Sequence, residues 1–154
     1  MGLLTSILAG IAGTLAMTSF AEITAHLLRK PYFVVIILAT MLPFNRDLSP
    51  PKASTYIAAT ILHYAIGVGF AYAYFGLLLE GLISNNALTA LLYGVAIGVI
   101  AIAGWRLFFT IHPNPPRIKP TYFALIWLGH IVLSIVAAGV FSLNPLSIQG
   151  IESF

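Results

Sequence analysis

The residues best equipped for chemistry in this chain are a carboxylate, an arginine and several histidines, all set in long apolar segments. Thr14, Thr18, Glu22 and His26 recur at four-residue steps in the first segment, with Ser19 beside them. Such steps keep side chains on one slowly drifting face of a helix. A carboxylate in hydrocarbon is costly, so Glu22 is expected to face a bundle interior, water or a partner. Glu22 lies roughly 9 Å, by helical rise, from the end of its segment, and Arg106 lies at a similar distance from the same side of the membrane. The two are therefore expected to pair, stapling the first and third segments. His63 and His130 sit on the second and fourth segments, each about 14 Å inside and at nearly equal depth.

Several chemistries suit such a set. Each histidine can serve as a polar group hydrogen-bonded to a neighbouring helix. His63 and His130 can supply the two imidazoles of a haem b, with Arg106 near a propionate. Glu22, His26, His63 and His130 can form a proton or ion path, because imidazole titrates near neutrality. A non-redox metal site using Glu22 and the histidines lacks the tight His-x-x-x-His spacing on one helix. No metal and no resident cofactor is expected, with haem as the alternative. Thr18 joins Glu22, Arg106, His63, His130 and His26 in one candidate polar cluster. No catalytic residue is assigned. The chain has no Gly-rich phosphate loop, no convincing Ser-His-Asp set, no H-E-x-x-H and no EF-hand, so the reading leans away from an enzyme.

The elements that must position these groups follow from composition. The 154 residues are 60% hydrophobic and 7% charged, against about 25% charged in a soluble domain. So little charge cannot coat a water-facing globule. Spans of roughly 20 apolar residues cross a bilayer, and four occur here, at about 3–28, 54–79, 87–111 and 120–143. Residues 31–43 form a further apolar segment, too short to span, which reads as re-entrant or interfacial. The expected fold is thus an all-α membrane protein, a four-transmembrane-helix bundle forming a single integral membrane domain over 1–154. The start of the chain lacks the basic region of a signal peptide. With no cysteine, disulfides and thiolate sites are excluded.

Six of the seven cations lie in the loops after the first and third spans. By the positive-inside rule those loops are cytoplasmic and both termini lie outside. The net charge of +3 reads as this topology signal rather than as a nucleic-acid footprint. His112, in His112-Pro113-Asn114-Pro115-Pro116, reads as a solvated interfacial histidine before a stiff connector. An internal echo runs through the loops. Pro50-Pro51-Lys52 precedes Thr55-Tyr56 and His63, and Pro115-Pro116-Arg117 precedes Thr121-Tyr122 and His130. The echo is compatible with a parallel repeat about an axis normal to the membrane. Gly10, Gly13, Gly67, Gly69, Gly94 and Gly98 mark close helix contacts. Trp105, Trp127, Tyr56 and Tyr122 read as interface anchors.

Gly10-Ile11-Ala12-Gly13-Thr14-Leu15-Ala16-Met17-Thr18, His63 with Gly67, and Ala103-Gly104-Trp105 with the His112–Pro116 run together resemble a group of small bacterial four-span membrane proteins without an assigned function. The resemblance covers nearly the whole chain. It implies the architecture and a bacterial inner membrane, and no activity. With minimal loops and small-residue faces, the leading expectation is an auxiliary subunit of a larger membrane complex, with lipid and protein partners. A small transporter or channel working through the polar cluster comes second, and a bis-histidine haem protein for electron transfer third.

Overall fold

The computed structural model describes residues 2–29, 34–42 and 50–143. The expected features at 30–33, 43–49 and 144–154, including several loop cations and Glu152, lie outside the described residues. Five helices make up the described chain: α1 (Gly2–Leu27), α2 (Val34–Met41), α3 (Ala53–Leu79), α4 (Ala87–Ile111) and α5 (Pro120–Leu143). All but α2 are long and apolar enough to cross a membrane. This is the expected four-helix membrane bundle. At 24 to 27 residues and 1.5 Å rise, each long helix exceeds the roughly 30 Å hydrocarbon thickness.

Local signals fix the ends. Pro120 opens α5, where its missing N–H costs nothing. Asn86 caps α4, its side-chain oxygen accepting from the Thr89 N–H at 3.0 Å. Gly81, at φ 65°, takes the left-handed turn that ends α3. Several hydroxyls within the spans are satisfied by their own helices. Thr18, Thr24 and Thr110 each donate to the carbonyl four residues back, at 2.7–2.8 Å.

In space the long helices run α3–α1–α5–α4, each antiparallel to the next in this row. α1 packs along α3 and α5, and α4 packs along α5 alone. Glycines set these approaches. A Cβ added at Gly67 would overlap Thr14 Oγ1, and one at Gly10 would overlap the Val68 backbone. At Gly13 it would lie 2.8 Å from the Leu133 carbonyl oxygen. Across α4–α5, Gly94 would meet Ile131 Cα at 2.7 Å and Gly98 would meet Trp127 Cδ1 at 2.7 Å. In lipid no hydrophobic drive holds helices together, so backbone proximity of this kind is the main source of cohesion. Gly69 differs from the expectation. It is exposed, and nothing lies within 4 Å of an added Cβ.

Under the pseudo-twofold that the repeat implies, the counterpart of the α1–α5 contact is α3–α4. That contact is not made along the helices. It is replaced near one end by Tyr93, whose hydroxyl donates to the Phe70 carbonyl at 2.7 Å, and by Asn85. Asn85 accepts from the Tyr74 hydroxyl at 3.0 Å and donates to the Ala138 carbonyl and to Ser142. Near the opposite end, where the basic loops lie, α2 fills the gap. Its Ile37 and Met41 pack with Ala21 and Ala25 of α1 and with Tyr122 and Leu125 of α5, and its Leu38 and Ala39 pack with Ala59 of α3. Met41 and Ala39 are fully buried. The short segment therefore tucks into the bundle's end.

The aromatic residues also depart from the expectation. Trp127 donates its indole N–H to the Val95 carbonyl at 3.3 Å, well inside α4. Trp105 stacks among Phe108, Phe109 and Tyr122, and Tyr122 is fully buried. These three rings pack against neighbouring helices, and Tyr56 is half-buried.

Replacing Gly67 or Gly94 by valine should destabilise the bundle by about 1–3 kcal/mol through overpacking. Gly69→Val should leave stability within about 0.5 kcal/mol. Unfolding in mixed micelles, followed by circular dichroism, measures both.

Candidate functional site

The histidines of α3 and α5 come together as expected from their depth. His63 lies ten residues into α3 and His130 ten residues into α5, about 15 Å from the basic end of each helix. Both are buried, 8% and 7% exposed, and both line one cavity of 390 Å³. The cavity fills the gap left where α3 and α4 fail to meet. Met17, Phe70, Trp105 and Leu133 form part of its apolar wall, and Leu38 of α2 lies at its base. Four lining residues, Leu62 and Ile66 on α3 and Ile100 and Gly104 on α4, are exposed on the bundle's outer surface. The cavity therefore opens sideways, between α3 and α4.

Hydrogen bonds determine which nitrogen of each ring is spoken for. His130 Nδ1 lies 2.8 Å from the Ile126 carbonyl oxygen. A carbonyl only accepts, so Nδ1 carries the proton and Nε2 of the neutral ring keeps its lone pair. His63 Nε2 lies 3.0 Å from Thr18 Oγ1. The Thr18 hydroxyl has one proton, and it donates that to the Thr14 carbonyl at 2.8 Å. Thr18 is thus the acceptor, His63 Nε2 is the donor, and His63 Nδ1 keeps its lone pair. Neither His63 Nδ1 nor His130 Nε2 has a hydrogen-bond partner among the described residues. The site is a largely apolar chamber lined by two imidazoles, each with one ring nitrogen that keeps its lone pair.

The rest of the candidate cluster lies elsewhere. Glu22, His26 and Arg106 are exposed on the outside of the bundle and do not line the cavity. The expected Glu22–Arg106 pair does not form within the chain, because α5 lies between α1 and α4 and keeps them apart. The Arg106 guanidinium sits 5.6 Å from the centre of the Phe123 ring on α5. Of the other cluster candidates only Thr18 joins the two histidines. His112 is buried rather than solvated, 6% exposed, and its Nδ1 accepts from the Asn114 N–H at 3.1 Å, closing the turn after α4. Among the described residues no group of three or more His, Cys, Asp or Glu is arranged to hold a metal.

Tyr93, Phe70 and Asn85 were not among the candidates. Tyrosine and asparagine at these positions look like interface residues in sequence, and only the partner helix shows that they bridge. Taken together, the fold and the cavity define a helical membrane bundle with a laterally open chamber. No protein-family model matches the chain, and no curated protein or solved structure matches it either.

Thr18→Val removes the acceptor for His63 while keeping the side-chain shape. Polar contacts between membrane helices contribute about 0.6 kcal/mol on average and up to about 1.7. A loss of stability in that range is expected from unfolding in mixed micelles. Thr60→Val, at an exposed hydroxyl that bonds only its own helix, should have no comparable effect.

Proposed function

We propose that the protein binds, and carries within the bilayer, a small and largely apolar molecule that presents hydrogen-bond donors such as hydroxyl groups. The observation that carries this reading is the cavity between α3 and α4 with the lone pairs of His63 Nδ1 and His130 Nε2 in its walls. Ligand sites are typically apolar chambers with a few placed polar groups, and 390 Å³ falls within their usual size range. A ligand with acceptors only would leave both imidazole lone pairs unmatched, which costs affinity. The reading narrows the transporter expectation to a carrier or receptor of a lipid-soluble molecule.

A haem held by both histidines fits less well. Nε2 of His63 is engaged by Thr18, so His63 would ligate through Nδ1 or give up that bond. An auxiliary subunit remains a second reading, supported by the charges that Glu22 and Arg106 expose on the outer surface.

Binding is tested with 4-bromophenol against bromobenzene as probes. The two tryptophans are Trp105 and Trp127, and Trp127→Phe leaves the cavity residue Trp105 as the sole reporter. Saturable quenching of Trp105 by 4-bromophenol is expected, about three- to tenfold tighter than by bromobenzene, the worth of one net hydrogen bond. Replacing both His63 and His130 by leucine should abolish that preference. Equal, non-saturable quenching by both probes overturns the proposal, and a Soret band on the purified protein replaces it with the haem reading.

For location we propose a bacterial inner membrane, with both termini outside and the basic loops in the cytoplasm. The chain has no cysteine, so single cysteines introduced at Ser84 and Pro116 report orientation. A membrane-impermeant maleimide added to intact cells should label the first and spare the second.

A further inference from the structure

Glu22 and Arg106 are the only charged residues within the long helices of the described chain. Each lies five residues before the basic end of its helix, α1 or α4, so both sit at one depth, about 7.5 Å inside. Both are exposed, and no ion pair satisfies either among the described residues. An isolated carboxylate and an isolated guanidinium at a lipid-facing surface are each unfavourable, and a second chain offering the opposite charge at the same depth would satisfy both.

Their placement says what. The row α3–α1–α5–α4 curves around the cavity, leaving an outward face with α1 and α5 at its centre. Glu22 lies on the flank nearer α3. Thr18, one turn before it, bonds His63 of α3, and Glu22 continues the exposed stripe of Leu4, Ile11 and Leu15. Arg106 lies on the opposite flank, continuing the exposed stripe of Leu92 and Val99 on α4. The middle of the face mixes small residues, half-buried Ala12 and Ala16 on α1 and exposed Ala124 and Gly139 on α5, with the exposed Leu128 and Ile135 of the same α5 stripe. Nothing lies within 4 Å of a Cβ added at Gly139. Small residues let a second backbone approach closely in lipid.

A twofold axis normal to the membrane, passing between α1 and α5, maps this face onto itself in reverse order. It preserves depth and brings the α1–α3 flank of one copy against the α4–α5 flank of the other. We propose that two copies of this chain associate back to back through the outward faces of α1 and α5, with Glu22 of each paired to Arg106 of the other. The contact is self-complementary, as a twofold interface requires. The pair that α5 prevents within one chain then forms twice between two. The cavity mouths open away from this interface, so the association is independent of what the cavity binds.

The test uses the full chain in lipid nanodiscs or mild detergent, with mass read by native mass spectrometry. The unaltered chain should be a dimer. Chains carrying Glu22→Arg alone, or Arg106→Glu alone, should be monomers, because each copy then presents like charges to the other. Mixing the two variants should restore a dimer containing one chain of each kind, since both contacts are then oppositely charged. The double variant should also dimerise with itself. Circular dichroism verifies folding of each variant. If a reversal unfolds the chain, Glu22→Gln and Arg106→Gln take its place and should weaken the dimer about tenfold. An unaltered chain that is monomeric overturns the proposal. So does a dimer indifferent to every one of these substitutions, a mixture that stays monomeric, or recovery from native membranes only in complex with a different protein.

Discussion

The bundle depends on backbones coming close enough to touch. Gly10 and Gly67 let α1 settle against α3, Gly13 lets it settle against α5, and Gly94 with Gly98 let α4 settle against α5. In water a core would gather by expelling solvent from Leu and Ile. Here those side chains largely face outward, toward lipid, as Ile57, Ile61 and Leu107 do. What remains to hold helices together is short-range attraction between well-fitted surfaces, together with a few interhelical hydrogen bonds. The Thr18–His63 bond and the Ser134 hydroxyl on the Ala90 carbonyl, at 2.6 Å, lie along the same glycine-lined seams.

Only three seams of this kind exist among the long helices, and four are needed to close a ring. The site is the consequence. Along most of their length α3 and α4 stay apart, and Gly104 of α4, which faces the gap, has no neighbour within 4 Å of an added Cβ. The gap is bridged near one end by Tyr93 and Asn85 and filled near the other by α2. What is left between is the chamber that holds His63 and His130.

How much of this was legible follows from what each signal measures. Hydropathy counts residues across a bilayer, so the four spans and the short segment at 31–43 could be read directly. Position along a helix gives depth, and His63 and His130, placed at one depth by that count, line one cavity. Depth does not give rotation or neighbourhood. The order α3–α1–α5–α4 separates Glu22 from Arg106, and nothing in either residue's own segment encodes that order. Trp127 and Tyr122 turn toward neighbouring helices for the same reason. An amphipathic ring near a helix end serves a headgroup or a neighbouring carbonyl equally well, and the choice is made by the facing helix. Gly69 carries the same composition signal as Gly67, two residues away, yet it points to the outside.

The sideways opening of the cavity has a bearing on selection. With α2 beneath the chamber and Tyr93 across its far end, a solute of the proposed kind reaches His63 and His130 through the hydrocarbon rather than from water. The concentration that matters is then the one dissolved in the membrane. Partitioning sorts molecules before the protein meets them, discarding strongly hydrated solutes and enriching oily ones. Under the proposed function the protein would then need only to tell one oily molecule from another, with two imidazole lone pairs in an apolar wall to do it.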